Sequence, residues 1–286
     1  LSQAFSLEGI GRYMRSDAEY RQAWIAFAGN GVPRLDADGN GLWTYYLADN
    51  RSEQMAFDVR LRGEFDTGPI EHELLAGVQY QDVFTDSDTA YIFNGGVLNA
   101  FDPQYQNVLS VDEVRQAQGN GPRNFIDTTG YYISDPMTLG NLVATAGIRF
   151  DEVTNAVENG TTQEDDATSV SFGVLYRGPA GISPYASYAE SFQPVVGIDT
   201  ITNQQLKPQE GRQYEVGIKW QPRGVNALVT VAAFDIEISN LPNPNSLFGA
   251  NSQQEGVSKV RGVEFEANAL LGGLRLDANA SYLDAA

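Results

Sequence analysis

The stretch Ala56-Phe-Asp-Val-Arg-Leu-Arg-Gly-Glu-Phe-Asp66 alternates between two kinds of side chain, position by position. Successive side chains of a β-strand point to opposite faces, so each kind occupies its own face. One face is apolar and carries Phe57, Val59, Leu61 and Phe65. The other is fully charged and carries Asp58, Arg60, Arg62, Glu64 and Asp66. This pattern predicts an antiparallel strand that separates an apolar environment from a polar one.

The same alternation recurs along the chain, for example over 214–220, 234–238, 263–267 and 274–282. It predicts an all-β protein with about eleven strands. They lie near residues 2–15, 51–66, 69–82, 127–136, 140–152, 168–178, 182–192, 211–221, 225–238, 258–271 and 274–284.

The connections between the predicted strands are of two lengths. Short turns at 66–69, 136–140, 177–182, 221–225 and 271–274 alternate with long polar segments at 16–50, 83–126, 153–167, 193–210 and 239–257. A soluble sandwich also has alternating strands, but long loops at one end and short turns at the other are typical of a transmembrane antiparallel β-barrel. Such barrels usually have an even number of strands, whereas about eleven are predicted here. We therefore expect residues 1–286 to be part of one larger barrel domain.

Composition excludes several classes of protein. The 286 residues include 37 acidic and 18 basic side chains, a formal net charge of −19, which disfavours nucleic acid as a partner. Cysteine is absent, so a disulfide framework and a thiolate metal site are excluded. No apolar run reaches the roughly 18 residues of a membrane-spanning helix. The chain is therefore expected either to be soluble or to meet a membrane as a barrel.

Several stretches taken together resemble the barrel of TonB-dependent outer-membrane receptors of the ferric-siderophore class. They are "GIRFD" (147–151), "SPYASYAESFQP" (183–194), "LKPQEGRQYEVGIKW" (206–220), "VAAFDIEISN" (231–240) and "VRGVEFEANALL" (260–271). The resemblance implies a plugged barrel of about 22 strands in the bacterial outer membrane. It also implies an N-terminal plug domain with an energy-coupling box and closing strands, none of which is expected within residues 1–286.

The function implied by this resemblance is uptake of a ferric siderophore or a similar metal chelate. The implied partners are outer-membrane lipid, the ferric chelate, and the TonB complex acting through the plug. Neither an enzymatic activity nor a cofactor is expected, because transport requires no chemistry on the chelate. The residues of the matching motifs are expected to be structural, with lumen carboxylates stacked along the wall. They are Tyr214, Glu215, Gly217, Lys219, Arg261, Gly262, Glu264 and Glu266.

Ligand contacts are expected from aromatic residues in the long polar segments, because rings can stack on a large chelate. The alternative is that these rings pack the loops against one another. The candidates are Trp43, Tyr45, Tyr46, Tyr91, Phe93, Phe101 and Tyr105.

The stretch 36–41 has the spacing that opens an EF-hand loop, with Asp36, Asp38 and Asn40 as weak cation candidates. The twelfth position is Leu47, which cannot supply the bidentate carboxylate, so a polar turn is the favoured interpretation. His72 lies between Glu71 and Glu73, which point to the opposite face, so it is expected to be structural or interfacial. Pro136 is expected at a strand end or in a turn.

Two other functions remain open at the level of sequence. A passive outer-membrane porin would share the alternation and the loop asymmetry, but not the motif combination at 206–269. A secreted all-β binding module would need a second sheet to cover its apolar faces.

Overall fold

The computed structural model describes residues 4–27, 32–93, 95–105, 109–195, 204–241, 254 and 256–285. These residues form one antiparallel sheet of thirteen strands and a single turn of α-helix. The strands are β1 (Phe5–Ile25), β2 (Asn40–Thr67), β3 (Ile70–Ile92), β4 (Val97–Asn99), β5 (Gly119–Asn120), β6 (Asn124–Leu139), β7 (Leu142–Val157), β8 (Thr162–Tyr176), β9 (Ile182–Gln193), β10 (Gln209–Trp220), β11 (Asn226–Leu241), β12 (Gly256–Leu271) and β13 (Leu274–Ala285). The helix α1 (Val111–Arg115) lies between β4 and β5.

The eleven predicted strands are confirmed, and each pairs with its neighbours in the chain. The sheet order is β1-β2-β3-β6-β7-β8-β9-β10-β11-β12-β13, while β4 pairs with β2 and β5 pairs with β3. No helix in the described ranges is long and apolar enough to cross a membrane.

The first three strands are much longer than predicted. They continue through the segments 16–25, 40–50 and 83–92, which were expected to be connections. The long connection expected at 153–167 is wrong, because β7 and β8 extend into it and leave only residues 158–161 between them. Of the last two connections, residues 196–203 and 242–253 lie outside the described residues. The extensions escaped prediction because apolar and polar residues no longer alternate strictly there.

The two faces of the sheet differ in chemistry along its whole width. The apolar face is continuous across strands, because Val59 lies opposite Val78, Val78 opposite Tyr131, and Tyr131 opposite Phe150. On this face the side chains of Val59, Tyr131 and Val216 are about half exposed, at 51%, 47% and 58%. The face is completed by Ile148, Phe172 and Val263. A band of exposed apolar side chains on one face of a sheet is suited to contact with lipid.

Pro136 departs from its expected place. It lies inside β6 and faces Thr145 of β7, three residues before the strand ends. The other edge of β6 shows the cost, because the pairing with β3 runs from Glu71 and His72 to Leu75 and omits the two positions between them. Proline has no N–H to donate, so this interruption is its expected effect on a ladder.

Candidate functional site

The face opposite the apolar band is lined by polar and charged side chains and is called the polar face here. It includes Asp58, Gln79, Tyr132, Arg149, Ser171, Tyr185, Glu215 and Glu264. The Tyr132 hydroxyl donates to Asp58 across 2.7 Å, and Arg149 forms an ion pair with Asp151 at 2.6 Å. In a closed barrel this face would line the lumen.

Aromatic rings on the polar face lie over glycines of the neighbouring strand. Tyr132 faces Gly77 and Tyr185 faces Gly217 in the strand register. A Cβ added at either glycine would come within 2.5 Å or 2.6 Å of the facing ring. Phe234 covers Gly262 in the same way. The glycines are therefore required by close packing, and the rings protect the backbone beside them.

The motif 214–219 divides between the two faces. Glu215, Gly217 and Lys219 share the polar face with Tyr185, whose hydroxyl donates to Glu215 at 2.6 Å and whose ring lies 4.9 Å from the Lys219 ammonium. Tyr214 is on the apolar face, where its ring contacts Tyr188 at 4.9 Å.

The second motif divides in the same way. Gly262, Glu264 and Glu266 occupy the polar face, with the two carboxylates two residues apart. Arg261 lies on the other face, where it forms a 2.7 Å ion pair with Asp235. Within the described ranges, no cation lies within salt-bridge distance of Glu264 or Glu266.

Three of the seven candidate aromatic residues, Tyr46, Tyr91 and Phe93, lie together where the polar face continues toward the end of the sheet away from the short turns. Tyr46 and Tyr91 face each other on β2 and β3, and their rings are 5.9 Å apart. Tyr91 also contacts Trp24 at 5.7 Å and Phe93 at 4.3 Å, and Tyr46 contacts Tyr20 at 5.8 Å. We call these five rings the aromatic ladder. Both Tyr91 and Phe93 are largely exposed, so the ladder presents ring surface to solvent.

Trp43 and Tyr45 lie on the opposite side of β2, beneath a segment that we call the strap, residues 95–105 and 109–118. Tyr45 is 8% exposed and packs with Leu47, Ala90 and Val114, and its hydroxyl accepts a hydrogen bond from the Leu109 backbone N–H at 3.0 Å. Trp43 is partly buried and packs against the same cluster, so both rings belong to the packing under the strap. The seven candidates therefore separate into buried and exposed groups.

The strap is fixed at α1 by its own cap and by polar contacts to the strands. Ser110 and Glu113 form a capping box, and the backbone hydrogen bond from Ser110 lowers the pKa of Glu113. Arg115 forms a 2.7 Å ion pair with Glu19, and the Gln118 amide donates to Asp49 at 3.0 Å.

The stretch 36–41 forms a tight turn rather than part of an open loop. The Asp36 carboxylate accepts from the backbone N–H groups of Asp38 and Asn40 at 3.0 and 2.8 Å, and the Asn40 bond is the main cause of a lowered pKa for Asp36. Gly39 has a φ of 82°, and the ring of Phe101 covers it. Tyr105 is 62% exposed, away from the ladder. Among the described residues, no group of three or more acidic or histidine side chains could hold a metal.

His72 lies near the short turns and has two polar neighbours. Its Nδ1 is 2.7 Å from Asp135 and its Nε2 is 2.6 Å from the Thr67 hydroxyl. The ring also stacks on Phe65 at 4.9 Å. These contacts give His72 a structural role between β2, β3 and β6.

A family model described as "TonB dependent receptor-like, beta-barrel" matches residues 2–286. The chain belongs to the TonB-dependent receptor family. The family is one of outer-membrane transport receptors, which places this β-barrel chain in the outer membrane.

Curated relatives of this TonB-dependent receptor chain include two proteins of known name. The ferrichrome outer membrane transporter/phage receptor of Escherichia coli K12 is 30% identical over 239 residues, which cover 79% of this chain and 31% of the relative. The ferrioxamine B receptor of Salmonella typhimurium is 29% identical over 249 residues, covering 84% of this chain and 34% of that receptor. The chain thus spans about a third of the length of these relatives.

Solved structures share the fold. The pyoverdine outer membrane receptor of Pseudomonas aeruginosa PAO1 superposes with a TM-score of 0.84 at 16% identity, over 100% of this chain and 42% of that one. The closed form of the ferric-catecholate import receptor of E. coli K12 gives a TM-score of 0.79 at 18% identity, over 100% of this chain and 45% of that one.

The aromatic ladder was only partly predicted. Tyr20 and Trp24 were missed because residues 16–25 were assigned to a connection, where no face can be assigned to a side chain. A signal was present, since Tyr20, Gln22 and Trp24 occupy every second position, as expected for one face of a strand.

Proposed function

We propose that this chain forms part of the barrel wall of a receptor that takes up a ferric siderophore across the outer membrane with energy from TonB. The observation that carries the proposal is the family match over residues 2–286, together with relatives that are named ferrichrome and ferrioxamine B receptors. The names of these two relatives favour ferrichrome or ferrioxamine B as the chelate. The apolar band and the polar face supply the lipid contact and the lumen that such a receptor needs.

The remaining strands and a plug would complete the receptor. The coverage of about a third of each relative supports this, as does the sheet, in which β1 and β13 each pair with a single neighbour in the described part. Glu264 and Glu266 are suited to a partner in the lumen, because they face inward without a cation nearby. A plug surface with basic side chains would provide the missing counter-charges.

The aromatic ladder is the proposed contact surface for the chelate. It lies at the end of the sheet away from the short turns, and it continues the polar face toward the outside. Exposed rings that already contact one another offer apolar area with little loss of side-chain freedom on binding. Tyr91 is the central ring, since it contacts three of the other four.

The function is tested with the complete receptor in an E. coli strain that lacks its own hydroxamate receptors. We expect uptake of ⁵⁵Fe-ferrichrome or ⁵⁵Fe-ferrioxamine B, and loss of that uptake when TonB is deleted. A passive porin would admit small ions equally with and without TonB. Uptake that does not depend on TonB would contradict the proposal.

The binding surface is tested separately by replacing Tyr91 with alanine. Loss of one stacked ring should weaken chelate binding about 3- to 10-fold, measured by quenching of intrinsic fluorescence in the purified receptor. Tyr105→Ala is the matched control, because that ring is exposed but outside the ladder. Equal effects of the two variants would remove the special role of the ladder.

A further inference from the structure

The pairing between β8 and β9 stops well before either strand ends. It covers Ser171 to Leu175 on β8 and Tyr185 to Ala189 on β9. Yet β8 continues to pair with β7 as far as Thr162, and β9 continues to pair with β10 as far as Gln193. The wall therefore has an open seam between β8 and β9, at the end of the sheet away from the short turns.

At the point where the seam begins, a side chain replaces the backbone hydrogen bonds between β8 and β9. The Glu190 carboxylate accepts a hydrogen bond from the backbone N–H of Val170 at 3.1 Å, and Tyr188 donates to its other oxygen. Because the Val170 N–H points toward β9, those of Asp166 and Thr168 point the same way. Among the described residues, neither has a strand partner on that side. The β8 edge thus has free donors and acceptors.

The seam contains an open-sided cavity of about 340 Å³ that is bounded at its upper end. The upper closure comes from the Gln163 amide, which donates to the carbonyls of Val195 and Leu206 at 3.0 Å each. Three carboxylates and one guanidinium line the cavity, with three hydroxyl side chains between them. The lining includes Asp166, Glu190, Glu210, Arg212, Thr168, Ser169 and Ser191.

We propose that this seam is a docking site for an extended polypeptide strand that carries a basic side chain. The strand would pair with the free edge of β8 between Glu164 and Thr168, a length of roughly 15 Å for an extended chain. Its lysine or arginine would lie among Asp166, Glu190 and Glu210, whose charges exceed that of Arg212 by two at neutral pH. The proposal depends on the geometry of the wall and not on which chelate the receptor takes up.

The position of the seam makes it accessible to a partner outside the membrane. Phe172 and Tyr188 face each other on the apolar face immediately below the seam, at the edge of the apolar band. Asp166, Glu190 and Arg212 lie on the same face above that edge. Charged side chains there avoid the cost of burial in lipid, so the opening lies in the aqueous region beyond the bilayer.

The experiment uses the complete receptor in detergent and the peptide acetyl-Thr-Val-Lys-Val-Thr-Val-amide. We expect binding of the fluorescein-labelled peptide by fluorescence anisotropy and slower hydrogen exchange at the N–H groups of Glu164, Asp166 and Thr168. A peptide with N-methyl groups at every backbone amide should not bind, since pairing through either of its edges requires N–H groups. Equal binding of the methylated peptide, equal protection by acetyl-lysine amide, or no protection at Glu164, Asp166 and Thr168 would each overturn the proposal.

Variants of the seam separate charge from structure. Glu190→Gln and Asp166→Asn keep hydrogen-bond acceptors and should each weaken binding of the lysine peptide about threefold. Glu152→Gln is the matched control, because Glu152 faces Asp166 on β7 but does not line the cavity. An equal loss with Glu152→Gln would show that general attraction, rather than the seam, holds the peptide.

Discussion

The part of the sheet nearer the short turns, which we call the lower part, carries the apolar band. The long extensions of β1, β2 and β3 belong to the same strands but are stabilised differently. In the lower part, apolar side chains point outward and remain exposed, so the surrounding lipid replaces a protein core. In the extensions, Tyr45, Leu47, Ala90 and Val114 form a small buried cluster beneath the strap. A single strand can thus depend on lipid along one part of its length and on protein packing along another.

The strongest test of this comparison introduces a charge into the apolar band. Val78→Arg places a guanidinium on the face that contacts lipid and should cost about 2–4 kcal/mol of folding free energy in bilayers. Urea unfolding of the receptor in lipid vesicles measures this cost. Gln79→Arg, on the neighbouring residue and the polar face, should cost much less. Equal costs would contradict the assignment of the faces.

The counterpart in the extensions is Leu47→Ala, since Leu47 is 2% exposed. Removing most of this side chain should destabilise the strap and the upper strands by about 2–3 kcal/mol. Hydrogen exchange at residues 43–49 and 88–92 measures the local loss. Met55→Ala is the control on the same strand and the same face, but in the exposed band. A change confined to the lower strands would refute the local role.

A smaller destabilisation is expected when a side chain is added at a glycine that lies beneath an aromatic ring on the polar face. Gly217→Ala would place a Cβ 2.6 Å from the Tyr185 ring and 2.7 Å from the Val231 carbonyl, so the packing must shift. The expected destabilisation is about 1–3 kcal/mol by urea unfolding. Gly173→Ala has its nearest neighbours at 4.0 Å and should be neutral or slightly stabilising. A neutral Gly217→Ala would show that the ring is not tightly seated.

The smallest effect concerns the cap of α1. Ser110→Ala should loosen the strap by about 1 kcal/mol, detected by Trp43 fluorescence in a receptor whose other tryptophans, Trp24 and Trp220 included, are replaced by phenylalanine. Because the folded pKa of Glu113 is lowered, its contribution is present above the unfolded pKa and is lost as pH falls through the folded pKa. Glu113→Gln should remove this acid sensitivity. Persistence of the same pH dependence would assign it to another group.

The sequence was sufficient to predict the strands of the apolar band but not the extensions of β1, β2 and β3, and both outcomes have one physical reason. Where lipid and lumen lie on opposite sides, each residue is restricted to one chemistry, and Phe57, Asp58 and Val59 show the resulting alternation. Above the bilayer both sides are aqueous or covered by the strap, so Tyr45 and Tyr46 are both aromatic although they face opposite ways. The sequence there no longer alternates between apolar and polar residues, although successive side chains of the strand still point to opposite faces.

The candidate site was likewise predicted only in part from the sequence. The predicted candidates Tyr46, Tyr91 and Phe93 include three of the five rings of the aromatic ladder, but burial of Tyr45 depends on Val114, 69 positions later in the chain. Such long-range packing leaves no trace in local spacing. The break between β8 and β9 was equally invisible, because β8 residues keep their alternation whether or not a partner is present.

The rings that lie over glycines have a consequence for how the wall is assembled. Tyr132, Tyr185 and Phe234 each fit only where the facing strand has no side chain. A slip of one residue during insertion would drive each ring against a Cβ and would also exchange the two faces. The glycine positions therefore favour one pairing register for each hairpin during assembly over the registers shifted by one residue.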